Sequence, residues 1–333
     1  MTSVISASKK IKPIDLLRRK NFFRVWLSGF LFGTTRWLEI LSVSIFVFDH
    51  TGEALTVAVV MFLRMLPMLM FGAFAGAFAE TVDGRKLLIT GLLAVGIIYI
   101  ILGCLAWMQL LQMWQLSLGA FFSGVFWTLE QTVRKIMVAE LAGLENVSVS
   151  MGLDTATNNF TRILGPFFGG VLYQFFGLHG ALALGGVLYF LSALLLSSIE
   201  YKRNFKNFKR SAILKNISDG ILFAFSKRVI LGAFWVTITF NIFGFACVSM
   251  VPVIASQSLG LSPFSIGLIS SGEGFGAFMG SIMVAYFVVK NRFNQVYFFG
   301  ACLYLVCLNV FSYSTNFWLC DNFHNCGDMI LNM

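Results

Sequence analysis

Charge is scarce in this sequence: 12% of the 333 residues are Asp, Glu, Lys or Arg, against about 25% in soluble domains. That deficit excludes a water-soluble enzyme core and a disordered chain, since both need a solvated polar majority. Histidine is rarer still, at 3. His50 and His179 fall in short connections and His324 lies near the C-terminus, so no Ser/His/Asp set and no His-rich metal site assembles on one segment. No G-x-x-x-x-G-K-[ST] phosphate loop occurs, which argues against ATP-driven work by this chain alone. No cofactor is implied. A cleavable leader is absent from the pattern too, because residues 1–20 are polar and basic and the first apolar run is too long for a leader's core. The 6 cysteines match no standard zinc spacing and no secreted disulfide framework. Those inside apolar runs read as small packing residues.

What is present is apolar sequence, at 58% of residues. A bilayer-spanning helix takes about 20 apolar residues. Runs of that kind place nine spans at roughly 22–48, 55–79, 87–108, 113–133, 150–176, 180–199, 229–254, 265–289 and 296–314. The fold class is therefore an all-α membrane protein. All but three of the 24 Lys and Arg lie in alternate connections or at their edge: before or at the start of the first span (Arg24 being the last of these), between the second and third, after the fourth, in 200–228 and between the eighth and ninth. The connections around Asp49, Gln112, Gly177 and Gly260 contain none. By the positive-inside rule the N-terminus is cytoplasmic, in the inner (plasma) membrane, and the net charge of +9 is a topology signal rather than a nucleic-acid footprint.

The spans group into an N-terminal six-helix bundle over 1–200, a basic linker over 201–228, and three further spans with an outer tail over 229–333. Within the linker, Ile213, Leu214, Ile217, Ile221, Leu222 and Phe225 recur at helical spacing, as in an amphipathic helix lying on the inner surface.

Two motifs carry a family resemblance. Between the second and third spans, Gly76, Glu80, Arg85 and Lys86 resemble the G-x-x-x-D-R-x-G-R-[RK] loop of the major facilitator superfamily, with Thr81 where that pattern has Arg and Asp83 where it often has Gly. In the fifth span, Gly165, Pro166, Gly169 and Gly170, preceded by Arg162, resemble the G-P-x-x-G-G motif of the superfamily's proton-driven exporters. The resemblance covers nearly the whole chain to about residue 314, closest in character to drug and siderophore exporters. It implies a secondary transporter whose partners are the lipid bilayer, a small amphipathic substrate and protons. Members have twelve helices, so about nine of twelve are expected here. On that count the chain reads as C-terminally truncated, and the alternatives are a non-transporting remnant or a membrane interaction subunit that self-associates through its incomplete second half.

Apart from Arg24 at the very start of the first span, seven charged residues fall inside predicted spans: Arg36, Glu39, Arg64, Glu130, Asp154, Arg162 and Glu273. A charge at mid-bilayer costs about 2.5–3.5 kcal/mol on insertion scales, so such residues face a cavity or a partner. Glu39, Arg64 and Glu273 each lie roughly 15 Å below the outer helix ends, at a rise of about 1.5 Å per residue. Arg36 is one turn deeper than Glu39 on the same face. A buried carboxylate beside an Arg loses its charge when the Arg moves away, since desolvation favours the protonated acid and the Arg the ionised one. Glu39 and Glu273 are thus candidate proton-sensitive acids, with Arg36 and Arg64 as modulating cations; fixed ion pairs holding helices together remain the other reading. Glu130 and Asp154, nearer the cytoplasmic ends, suit a snorkelling or inner-gate role. The tryptophans sort to helix ends as interfacial belts, and Trp37 is the one placed to stack on a substrate. Pro166 frees the carbonyl of Arg162 from its helical hydrogen bond. The stripe Gly272, Gly276 and Gly280 lets another helix approach closely. By depth, Gly169 is expected to meet Gly272 and Gly165 to meet Gly276.

Overall fold

The computed structural model of the chain describes residues 12–201, 250–257 and 260–287, with isolated positions at 225, 226, 231, 232, 235, 236, 300, 302 and 306. Nearly all of the basic linker, most of the seventh and ninth spans and the tail lie outside the described residues.

A short helix, α1 (Pro13–Leu17), opens with proline in its first turn, where the missing N–H costs nothing, and buries Leu16. The first span is α2 (Lys20–Thr51), stopped by Gly52 in the left-handed conformation. α3 (Ala54–Thr81) and α4 (Gly84–Trp107) follow. Asp83, the residue that departs from the loop motif, is the N-cap of α4 and accepts from Lys86 N at 3.2 Å. α5 is Met113–Ala142 and α6 is Val147–Ser197. The fifth and sixth spans both belong to α6, divided at Gly177, whose φ of 64° reverses the chain in one residue. α7 (Pro263–Phe287) is the eighth span, and 250–257 is also helical. Among the described residues there is no strand.

One boundary differs in kind from its expectation. α5 continues to Ala142 instead of ending near 133, so Arg134 and Lys135 are helical rather than part of a basic connection. Val133, Met137, Val138 and Ala142 continue a buried stripe at helical spacing, which holds the helix past the two charges.

α2 is the interior helix: 83% of its most apolar stretch is buried, against 28% for α3, which therefore presents most of its surface outward. An aromatic node ties four helices together. Phe32 packs edge-on to Phe126 at 5.6 Å and against Tyr189 at 5.8 Å, and Tyr189 packs edge-on to Tyr99 at 5.0 Å. Each such contact adds about 0.5–1.5 kcal/mol beyond the area buried.

Both ends of the bundle follow the alternation of the charge pattern. At one end Arg19 donates to Ala142 O at 3.1 Å and Arg85 Nε to Leu196 O at 3.0 Å, while Arg85 also reaches Ser197 O and Arg24 reaches Ser198 O. The start of α2, the α3–α4 turn and the ends of α5 and α6 therefore share one side. At the other end Tyr173 donates to Asp49 at 2.9 Å and Phe264 N to Gln174 Oε1 at 3.0 Å.

Candidate functional site

Glu39 and Arg64, placed at one depth by sequence, form a buried ion pair between α2 and α3. Ser123 from α5 donates to Glu39 Oε2 at 3.3 Å, and Tyr99 OH lies 3.5 Å from Ser123 Oγ. Arg36 does not join them. It is 4% exposed and turns toward α5 and α6, where its Nη2 donates to Asn158 Oδ1 at 3.0 Å. Its guanidinium lies 5.0 Å from the Trp37 ring centroid and 4.9 Å from that of Trp127. Trp127, expected in an interfacial belt, is instead part of the charged interior.

A second pair crosses from α6 to α7: Arg162 with Glu273. The Arg162 guanidinium also lies 5.0 Å from the Trp37 ring centroid, so that ring contacts both arginines. The G-P-x-x-G-G motif builds this junction by letting backbones touch. A Cβ on Gly165 would fall 2.4 Å from Trp37 Cβ, and one on Gly169 would fall 3.0 Å from Leu38 O, so these two glycines receive α2. Gly170 faces α7, where a Cβ would fall 2.6 Å from Pro263 O and 2.8 Å from Gly267 Cα. Gly274 packs against Arg162, an added Cβ falling 2.5 Å from the carbonyl oxygen that Pro166 releases from its helical partner.

The expected contact of the fifth and eighth spans is present, but its register differs by about one helical turn. Gly170 meets Gly267 and Arg162 meets Gly274, rather than Gly169 meeting Gly272 and Gly165 meeting Gly276. Counting down from the helix ends assumes level ends. Here α7 starts at Pro263 opposite Gly170, and the first half of α6 projects past it. Gly276 is buried and Gly272 half-buried in α7.

Arg134 is the residue that sequence reasoning missed. From α5 it pairs with Glu130 on its own helix and with Asp154 on α6, so both acids are held by one half-buried cation rather than snorkelling. The i, i+4 spacing of Glu130 and Arg134 was the available signal. A cavity of about 10 Å³, room for about one water, lies among Gly33, Arg36, Glu130, Arg134, Asp154 and Asn158.

The loop motif does local work. Arg85 closes the C-terminal carbonyls of α6 within the same half, a favourable place for a cation, and Lys86 is exposed. The Glu80 side chain lies outside the described residues. Among the described residues nothing lies within 4 Å of a Cβ added at Gly76. A larger cavity, about 420 Å³, sits between the C-terminal ends of α2 and α4 and the Gly177 reversal of α6, lined by His50, Gln109, Tyr173, Phe176 and His179 among others. Among the described residues no group of three or more metal-ligating side chains converges.

The sequence profile of a family described as transmembrane secretion effector, within the major facilitator superfamily, matches residues 11–322. The chain belongs to this family. An MFS-type transporter of Bacillus subtilis, YfiS, is 27% identical over 193 residues, which is 56% of this chain and 45% of that protein. The staphyloferrin A transporter of Staphylococcus aureus is 22% identical over 241 residues, 72% of this chain and 59% of that protein. The chain thus spans about half the length of the curated relatives it matches. Among solved structures, a bacterial homologue of the human lysosomal transporter Spinster, in an inward-facing, unoccupied conformation, aligns with a TM-score of 0.68 at 12% identity, over 94% of this chain and 74% of that one. A D-xylose–proton symporter aligns with a TM-score of 0.66 at 13% identity, over 94% and 79%. The fold is the all-helical architecture of this superfamily, and the chain is an integral membrane protein.

Proposed function

We propose that the protein works in secondary active transport, exporting a small amphipathic molecule of the drug or siderophore kind in exchange for protons, from an inner membrane in which its N-terminus is cytoplasmic. The observation that carries this reading is the Arg162–Glu273 pair, because it joins the first six spans to α7. A carrier exposes its site alternately by rocking one half against the other around a fixed centre. Separating α6 from α7 takes the Arg162 cation away from Glu273, which shifts a buried carboxylate toward its protonated form. Restoring the contact returns the cation and releases the proton. Glu39 and Arg64 provide a second acid–cation pair of the same composition inside the N-terminal half. The outward direction is supported by the G-P-x-x-G-G segment, which supplies the backbone contacts of that junction. The family description of secretion points the same way, and the siderophore named for the Staphylococcus relative supports the substrate class.

The test is a proton-gradient assay in inside-out membrane vesicles containing the protein. Acid-inside vesicles should lose their gradient on addition of a transported amphiphile, and Glu273→Gln or Glu39→Gln should abolish that loss while leaving insertion intact. Normal coupled flux with an unchanged pH dependence in both variants would reduce the two acids to structural ion-pair partners.

A further inference from the structure

The charged interior holds an imbalance between donors and acceptors. Arg64 has Glu39, Arg134 has Glu130 and Asp154, and Arg162 has Glu273. Arg36 has no carboxylate within ion-pair distance among the described residues: Glu130 and Asp154, which line the same small cavity, pair with Arg134, and the Arg36 guanidinium donates to a neutral amide, Asn158. Around it, Arg36 Nε, Trp37 Nε1 and Trp127 Nε1 are buried and find no hydrogen-bond partner among the described residues, and Arg162 Nε, whose guanidinium lies against the same Trp37 ring, is in the same condition. All four are donors. Buried polar groups are almost always satisfied, because leaving one unpaired costs about 1–3 kcal/mol, more if it is charged. A cluster of orphaned donors around a buried guanidinium therefore asks for a ligand that supplies acceptors and negative charge. The two indole rings flanking that guanidinium add apolar, planar surface. Asn158, which holds the guanidinium from the α6 side, is exposed, so the cluster opens on that side.

We infer that Arg36, with the indole N–H groups of Trp37 and Trp127, is an anion subsite, and that the substrate is an acid: a carboxylate-type anion attached to a flat apolar body. This rests on the transport reading above and narrows it by charge. The guanidinium presents a planar fork that matches a carboxylate, while its neighbouring rings take the apolar part. A cationic amphiphile would meet Arg36 with like charge, and a neutral one would leave the donors unpaired.

Isothermal titration calorimetry on the full chain in nonionic detergent, at one pH and without any gradient, tests this with three probes of equal shape. They are 1-naphthoate, 1-naphthalenemethanol and 1-naphthylmethylammonium. Naphthoate should bind at least about tenfold more tightly than the alcohol, since charge-assisted hydrogen bonds are about twice as strong as neutral ones. The ammonium probe should bind most weakly. Equal or weaker binding of naphthoate than of the alcohol would overturn the subsite and leave ordinary hydration of the four donors as their explanation. Arg36→Gln should erase the preference for the anion, and Arg36→Lys should keep part of it. Asn158→Asp is the variant that guards against misfolding, because it gives Arg36 a resident carboxylate. It should insert as well as the parent and lose the naphthoate preference, and retention of that preference in Asn158→Asp would count against the inference. Failure of proton coupling in vesicles leaves these binding ratios untouched, whereas an absent anion preference leaves coupling intact, so the two readings fail separately.

Discussion

Arg162 on α6, half-buried, and Glu273 on α7, buried, form an ion pair at the point where Pro166 has freed the Arg162 carbonyl and Gly274 has removed the side chain that would hold α7 away from it. One residue thus meets the second half twice, by its charge and by its backbone. Breaking a buried pair from one side leaves an uncompensated charge and costs about 3–5 kcal/mol, whereas removing both charges is far milder. Arg162→Gln or Glu273→Gln alone should lower the thermal stability of the detergent-solubilised protein clearly. The double variant should recover at least about 1 kcal/mol relative to the sum of the singles. Additive losses in that double-mutant cycle would show that the two side chains do not depend on each other.

Glycines of similar appearance should separate sharply. A methyl group on Gly170 meets the Pro263 carbonyl oxygen and the Gly267 Cα, both backbone atoms that cannot rotate away. Gly170→Ala should therefore cost about 1–3 kcal/mol, the range of overpacking. Gly76 meets none of the described residues, so Gly76→Ala should be neutral or stabilise by up to about 1 kcal/mol through helix propensity. Thermal unfolding of the two variants side by side checks this, and equal behaviour would mean that the α6–α7 backbones are not in contact.

The helices were readable because apolar runs are long and their ends chemically marked, as by Gly52 after α2 and Asp83 before α4. Depth was readable for the same reason, which is why Glu39 and Arg64 could be set at one level. Azimuth was not. Arg36 and Glu39 are three residues apart and share a broad face, yet Glu39 turns to α3 and Arg36 to α5 and α6. Which neighbour each side chain reaches depends on how α2 is rotated among four helices, and no spacing within α2 records that. Arg134 was misread because a basic pair after an apolar run looks like a membrane edge, although its two carboxylate partners, one of them on another helix, keep it inside.

Orientation across the membrane rests on the basic residues that gather with the start of α2 and the ends of α5 and α6. In a variant whose native cysteines are replaced, a cysteine at Lys86 should be protected from an impermeant maleimide added to intact cells. A cysteine at Glu53, exposed at the opposite end of α3, should be labelled. The reverse pattern would invert the protein and with it the direction of transport.

The Glu39–Arg64 pair should be asymmetric when broken. Arg64 is 1% exposed and Glu39 3%, so neither charge reaches water. If Arg64 is replaced by Gln, the carboxyl of Glu39 can take up a proton and remain in place as a neutral group, still accepting from Ser123. If Glu39 is replaced by Gln, Arg64 has no such escape, because a guanidinium stays charged under all conditions a protein meets. Glu39→Gln should therefore destabilise the protein more than Arg64→Gln. Lowering the pH should narrow the penalty of Arg64→Gln, by supplying the proton that Glu39 then needs, and leave that of Glu39→Gln unchanged. Thermal unfolding of both variants at neutral and mildly acidic pH makes the comparison. A charge-swapped protein, Glu39→Arg with Arg64→Glu, should stand closer to the parent than either single variant. Equal, pH-independent losses in the two single variants would mean that the pair is kept for its hydrogen bonds and shape, with no role for the proton.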